Sequence, residues 1–207
     1  MLFRSRSAGI PLAFCAILHG EALQSLSIHP YLTQVIEFLM NLIISPPPEC
    51  NDEEMSVVHA FNVLRAILTD RILGPRLDPW IASYFNLTID RLSSGSWAIR
   101  NAASLSYSVL LRRTLGVSKQ DVEERSKGTS TTFSILFSRL PSLYPYLLQK
   151  LKELLAHLDQ SGTSLKGRTG PDGDASTLFI TQTSLYSLLI LLSRLSPSEV
   201  VDRKSVV

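Results

Sequence analysis

The chain has 207 residues, 45% hydrophobic and 18% charged, with 20 Lys+Arg against 18 Asp+Glu for a formal net charge of +2. That length makes one domain, or at most two small ones, and buries ~70% of the unfolded surface without help from disulfides or metal. The composition excludes a largely disordered chain, and a charge this small does not by itself demand a nucleic-acid partner.

Leu (35) and Ser (28) dominate, and the basic set is 14 Arg with 6 Lys. Arg favours planar recognition of phosphate or carboxylate; it equally covers apolar surface. Cys15 and Cys50 form no framework and no C-x-x-C, which fits a reduced, intracellular setting. Met1–Arg6 is basic and Ile10–Leu18 apolar, but Pro11 and the lack of a small-x-small cleavage site argue against a secretory signal.

Strand signals are almost absent, and helical periodicity recurs. The first helix is predicted over Ser7–Ser25 and the second over His29–Ile44, with Pro30 in its first turn and Leu32, Val35, Ile36, Leu39 and Ile43 as its apolar stripe. The Pro-rich, acidic stretch Ser45–Glu54 reads as a surface loop. A third helix, Ser56–Leu73, carries the stripe Val57, Phe61, Leu64, Leu68 and Ile72 and ends at Gly74-Pro75. Asp78-Pro79 is read as the cap and first position of a fourth helix, which runs to about Ser93. The fifth covers Ser96–Leu115, with Ala98, Ala102, Leu105 and Val109 as its inner face, Ala103 and Leu110 beside it, and Gly116 as its stop. Val117–Thr132 is a polar loop, Phe133–Leu140 a short helix, and Pro141–Gln160 another, with Pro145 in its first turn. Thr177–Leu195 is the last helix, too polar for a membrane span. The domain organisation expected from this is a helical core over 1–160, a flexible insertion over 161–176, a continuing helix over 177–197 and a tail over 198–207. An all-α chain of about seven helices, some in antiparallel pairs, suggests an armadillo/HEAT-like solenoid segment, with a compact bundle as the physical alternative.

Enzyme templates fail in turn. There is no phosphate-binding Gly-rich loop and no Gly-x-Ser-x-Gly elbow. His19, His29, His59 and His157 are scattered without metal-ligand spacing. One surface is chemically suggestive. Arg100, Ser104, Ser108 and Arg112 recur every four residues and so line one stripe of the fifth helix, with Asn101 beside it and Trp97 one turn ahead. Two arginines separated by hydroxyls can follow phosphates while Asn or Trp meets a base or ribose. The alternative is a plain solvent face, or hydroxyls bonded back to the helix.

Four blocks in order carry a resemblance. Ser96-Trp97-Ala98-Ile99-Arg100-Asn101, continuing to Leu111-Arg112-Arg113-Thr114-Leu115-Gly116-Val117, resembles a Pro-x-Trp-x-Val-Arg-Asn pattern followed by Arg and Gly-Val. Arg6-Ser7-Ala8-Gly9-Ile10-Pro11 is similar to Arg-Arg-Ser-Ala-Gly-Leu-Pro, with Ser5 in place of the first Arg. His59-Ala60-Phe61-Asn62-Val63-Leu64-Arg65 and Phe137-Ser138-Arg139-Leu140-Pro141-Ser142-Leu143-Tyr144-Pro145 supply the other two. All four resemble blocks of the core domain of the thyroid adenoma-associated (THADA) family. The resemblance implies an armadillo/HEAT solenoid and a non-catalytic, cytoplasmic role with no cofactor of its own. Its implied partners are tRNA and an S-adenosylmethionine-dependent tRNA 2′-O-methyltransferase acting at nucleotide 32 of the anticodon loop. The residues expected to touch RNA or partner are Arg6, Arg65, Trp97, Arg100, Asn101 and Arg112. Family members are several times longer, so the chain reads as a fragment. A protein-binding scaffold without RNA contact, and a non-functional truncated copy, are the competing readings.

Overall fold

The computed structural model describes residues 9–23, 30–46, 53–116, 132–164 and 185–195. These form helices and, among the described residues, no β-strand, so the all-α expectation holds. The chain divides into two compact units, Met1–Leu110 and Leu111–Val207.

The first unit contains α1 (Gly9–Ala22), α2 (Pro30–Ile44), α3 (Glu53–Thr69), a 3₁₀ helix (Gly74–Trp80), α4 (Ile81–Arg91) and most of α5 (Trp97–Leu115). Helix α3 is its centre and packs against α1, α2 and the 3₁₀ helix. Its sequence dictates that place: Val57, Ala60, Phe61, Val63, Leu64, Ile67 and Leu68 are all buried, a stripe wide enough to serve neighbours on two sides. Phe61 stacks on Tyr84 of α4 with ring centroids 6.3 Å apart, and Phe85 meets Tyr107 of α5 edge-on at 6.2 Å. Each fully buried aromatic or branched aliphatic side chain contributes roughly 1.5–3 kcal/mol relative to exposure.

Two expectations at the end of α3 are corrected. The helix stops at Thr69, not Leu73, because Asp70 Oδ1 accepts from the backbone N–H groups of Ile72 (2.8 Å) and Leu73 (2.9 Å) and folds the chain into a turn. Ile72 therefore leaves the stripe and is 46% exposed, while Leu73 is buried. Asp78 and Pro79 do not open α4. They lie inside the 3₁₀ helix, and α4 begins after Trp80 with no side-chain cap.

Helix α2 is held at both ends by other elements. Glu21, buried near the end of α1, accepts from the N–H groups of Tyr31 (2.8 Å) and Leu32 (3.0 Å), placing a carboxylate at the α2 N-terminus. Arg91 of α4 donates to the carbonyls of Ile43 and Ile44 at the other end. Both charges complement the helix dipole and satisfy groups that the helix itself leaves unpaired. Alongside, His19 Nε2 lies 3.0 Å from Asp70 Oδ2, off the line of a good hydrogen bond, and pairs α1 with the end of α3 by charge when protonated.

The second unit continues from the end of α5 into α6 (Phe133–Arg139), α7 (Leu143–Ser164) and α8 (185–193). Its buried apolar side chains among the described residues are leucines throughout, from Leu111 and Leu136 to Leu191 and Leu195. Thr132 caps α6 by accepting from Ile135 N–H, and Phe137 packs edge-on against Tyr144 at 5.1 Å. Helix α7 runs through residues 161–164, which the sequence reading placed in the insertion. Residues 165–176 of that segment, the tail from 198 and the loop residues 117–131 lie outside the described residues.

Candidate nucleic-acid interface

Helix α5 starts where Ser96 Oγ accepts from Ile99 N–H, a local N-cap, and stops at Gly116, whose φ of 81° only glycine adopts without strain. Between them the buried side chains are Ile99, Ala102, Ala103, Ser106, Tyr107, Leu110, Leu111 and Thr114. This corrects the expected inner face: Leu105 is 43% exposed, and Ala98 and Val109 are only half-buried. The helix is rotated because burying Ile99, Tyr107, Leu110 and Leu111 together removes more apolar surface than the smaller set does.

The opposite face carries the candidate stripe. Ser104, Ser108 and Arg112 are exposed and Arg100 is half-buried, with exposed Asn101 and a 67% exposed Trp97 at the start of the helix. Arg100 is not a free cation. Its Nη1 donates to the carbonyls of Ser94 (2.7 Å) and Gly95 (2.8 Å), which pins the guanidinium against the turn before α5 and leaves three of its five N–H donors, on Nη2 and Nε, for other partners. Ser108 Oγ donates back to the Ser104 carbonyl at 3.0 Å, so its proton is committed to the helix, one of the alternatives raised for these hydroxyls. Arg112 pairs with no acid among the described residues. The stripe contains no Asp or Glu, nor does any part of α5.

Arg65 stands apart from this face. On α3 it donates from Nη2 to Asn62 Oδ1 at 3.2 Å, and its charge reaches the buried Tyr84 hydroxyl. Burial pushes the Tyr84 phenol well above its ordinary pKa, against smaller opposing effects of the Ser106 hydroxyl and Arg65. Neither the Tyr84 nor the Ser106 hydroxyl makes a well-formed hydrogen bond. Arg6 lies outside the described residues. Of the six candidates, then, Trp97, Arg100 and Asn101 come together in one turn, Arg112 follows on the same helix, and Arg65 occupies another helix. The sequence reading missed the long-range polar contacts of Glu21, Arg91 and Asp70, which carry no local signal. No described group of three or more His, Cys, Asp or Glu side chains is arranged to hold a metal ion. No described helix is long and apolar enough to cross a membrane.

Two family profiles match in succession. That of THADA/TRM732, DUF2428 covers residues 3–98, and that of the Trm732 C-terminal TPR repeats covers residues 100–206. The chain belongs to the THADA/TRM732 family. The chicken (Gallus gallus) relative named tRNA (32-2'-O)-methyltransferase regulator THADA is 35% identical over 195 residues, 93% of this chain and 9% of the relative. The human protein of that name is 33% identical over the same span. The fission yeast (Schizosaccharomyces pombe) regulator trm732 is 28% identical over 167 residues, 77% of this chain and 11% of the relative. The chain thus spans about 9% of the length of the vertebrate THADA proteins it matches. No solved structure matches it. The second profile is one of helical repeats, in keeping with a solenoid-type, all-α architecture for this THADA-family chain.

Proposed function

We propose that the chain forms helical core of a non-catalytic, cytoplasmic regulator of tRNA 2′-O-methylation at nucleotide 32, stacked in the HEAT/armadillo manner, that holds tRNA beside an S-adenosylmethionine-dependent methyltransferase. Membership of a family whose relatives are named as regulators of that enzyme carries the reading. The acid-free face of α5 supports it on physical grounds. A rise of about 1.5 Å per residue separates Arg100 from Arg112 by about 18 Å along one helix, enough to meet separate phosphates. Arg65 and Arg6 are the further proposed contacts.

The test is tRNA methylation and tRNA retention after co-purification with the methyltransferase, comparing wild type, Arg112→Ala and the Arg100→Ala/Arg112→Ala pair. Because the Arg112 side chain is exposed, its loss leaves the fold intact and reports the RNA contact alone. The expected result is weaker retention, with the salt dependence of binding reduced by about one phosphate contact per Arg removed. Retention unchanged in the double variant overturns the assigned face. A folded wild-type chain that neither binds tRNA nor joins the enzyme overturns the role.

A protein-binding scaffold is the second reading. It is favoured by α1 and the residue that follows it, which leave Leu12, Ile17 and Leu23 between 71% and 75% exposed. Stable capture of the methyltransferase without any RNA contact would select it.

A further inference from the structure

Large aromatic side chains are mostly buried, because each removes so much apolar surface from water. Trp97 departs from this at 67% exposure, on the surface that also carries Arg100 and Asn101. Those two residues follow at i+3 and i+4, so both side chains neighbour the indole on the helix surface. Arg100 is already fixed by the Ser94 and Gly95 carbonyls, so little rotamer freedom remains to be lost when it meets a ligand. One helical turn therefore presents a bare aromatic face, an anchored planar cation and a free-standing amide, on a helix with three Arg and no acid.

We propose that Trp97 is a stacking platform for one unpaired nucleotide, flanked by Arg100 for its phosphate and Asn101 for its base edge. This end of α5 then takes single-stranded loop RNA in preference to duplex. The inference rests on the RNA-contact reading above and adds the form of RNA that is bound. A base in a duplex has both faces covered by its neighbours and offers nothing to an indole; a base splayed from a loop offers a whole π-face. An acidic protein segment could also use the cation, but would leave the indole without a partner of matching shape.

The experiment uses the full chain with Trp80→Phe, which makes Trp97 the one tryptophan. The probes are a stem-loop RNA with an anticodon-sized loop and a fully paired duplex of matched phosphate count. The stem-loop is expected to quench Trp97 fluorescence and the duplex to leave it unchanged. In the otherwise wild-type chain, Trp97→Ala weakens stem-loop binding about 5- to 150-fold, the loss of one base–aromatic stack. Trp97→Phe retains most of the affinity, and duplex binding is the same in all three. If Arg100→Ala weakens stem-loop binding while Trp97→Ala does not and no quenching occurs, the platform is wrong and the RNA face stands. If neither RNA binds, both readings fall together. If Trp97→Ala weakens methyltransferase capture and leaves RNA binding alone, the indole is a protein anchor and the proposal is overturned.

Discussion

Replacing Glu21 tests the idea that α2 is held in place from outside. The buried carboxylate accepts two backbone N–H bonds, of 2.8 and 3.0 Å, from the first turn of α2. Hydrogen bonds to a charged group contribute about 1.5–3 kcal/mol each, and a buried donor left unmet costs about 1–3 kcal/mol. Leu32 N–H is buried and loses its partner outright, while Tyr31 N–H is only partly buried and regains water. Glu21→Ala should therefore cost about 2–4 kcal/mol, less than two full bonds. Glu21→Gln keeps one acceptor and loses the charge at the helix N-terminus, and should cost about 1–2 kcal/mol. The assay is urea unfolding followed by far-UV circular dichroism, reading the midpoint at constant slope. Glu37→Ala, an exposed acid on the same helix, is the control and should stay within ~0.5 kcal/mol of wild type. The reasoning is refuted if Glu21→Ala matches that control.

Other expectations follow from the same polar contacts. Burial opposes the charge on Asp70, but the His19 contact and the Leu73 and Ile72 N–H groups outweigh it and hold its pKa below the ordinary Asp value. A lowered folded pKa means that Asp70 stabilises the protein above the unfolded value of ~3.9 and loses that contribution as pH falls through the folded one. The stability difference between wild type and Asp70→Asn should thus shrink as pH falls into the acid range; a difference that does not change down to the acid transition refutes it. Burial, and secondarily the Asp70 charge, raise the Cys15 thiol pKa. In a Cys50→Ser background, Cys15 should alkylate more slowly than a free cysteine at neutral pH, and adding Asp70→Asn should speed it; a rate at or above the free thiol sinks this. Tyr84→Phe removes a buried hydroxyl that makes no well-formed hydrogen bond, so its unfolding free energy should lie within ~1 kcal/mol of wild type. A loss above ~2 kcal/mol would show that the hydroxyl is satisfied after all.

Much of the fold is legible in the sequence where the signal is local. Pro30 opens α2, Gly116 closes α5 in a left-handed conformation that glycine tolerates best among the residues, and the stripe of α3 from Val57 to Leu68 reads directly as buried. The candidate face of α5 is equally local, since Trp97, Arg100, Asn101 and Arg112 are placed relative to one another by helical register alone. Three of the four motif blocks that resembled the THADA family lie within the regions its profiles match, and the block from Ser96 to Val117 spans the junction between the two.

Which way α5 turns is another matter. Its sequence offers two apolar faces, one through Ala102 and Leu105 and one through Ile99, Tyr107 and Leu110. The choice depends on what the neighbouring helices supply: Phe85 meets Tyr107 only once α4 is in place. The same holds for the charges at the two ends of α2. Glu21 lies ten residues from Tyr31, and Arg91 47 from Ile44. Periodicity and propensity see only neighbours three or four residues away, so the sequence by itself determined the helices, their caps of local origin and the membership of the family. Tertiary packing decided which face of α5 is buried and what holds the ends of α2. Those outcomes depend on groups brought together only when the chain closes on itself.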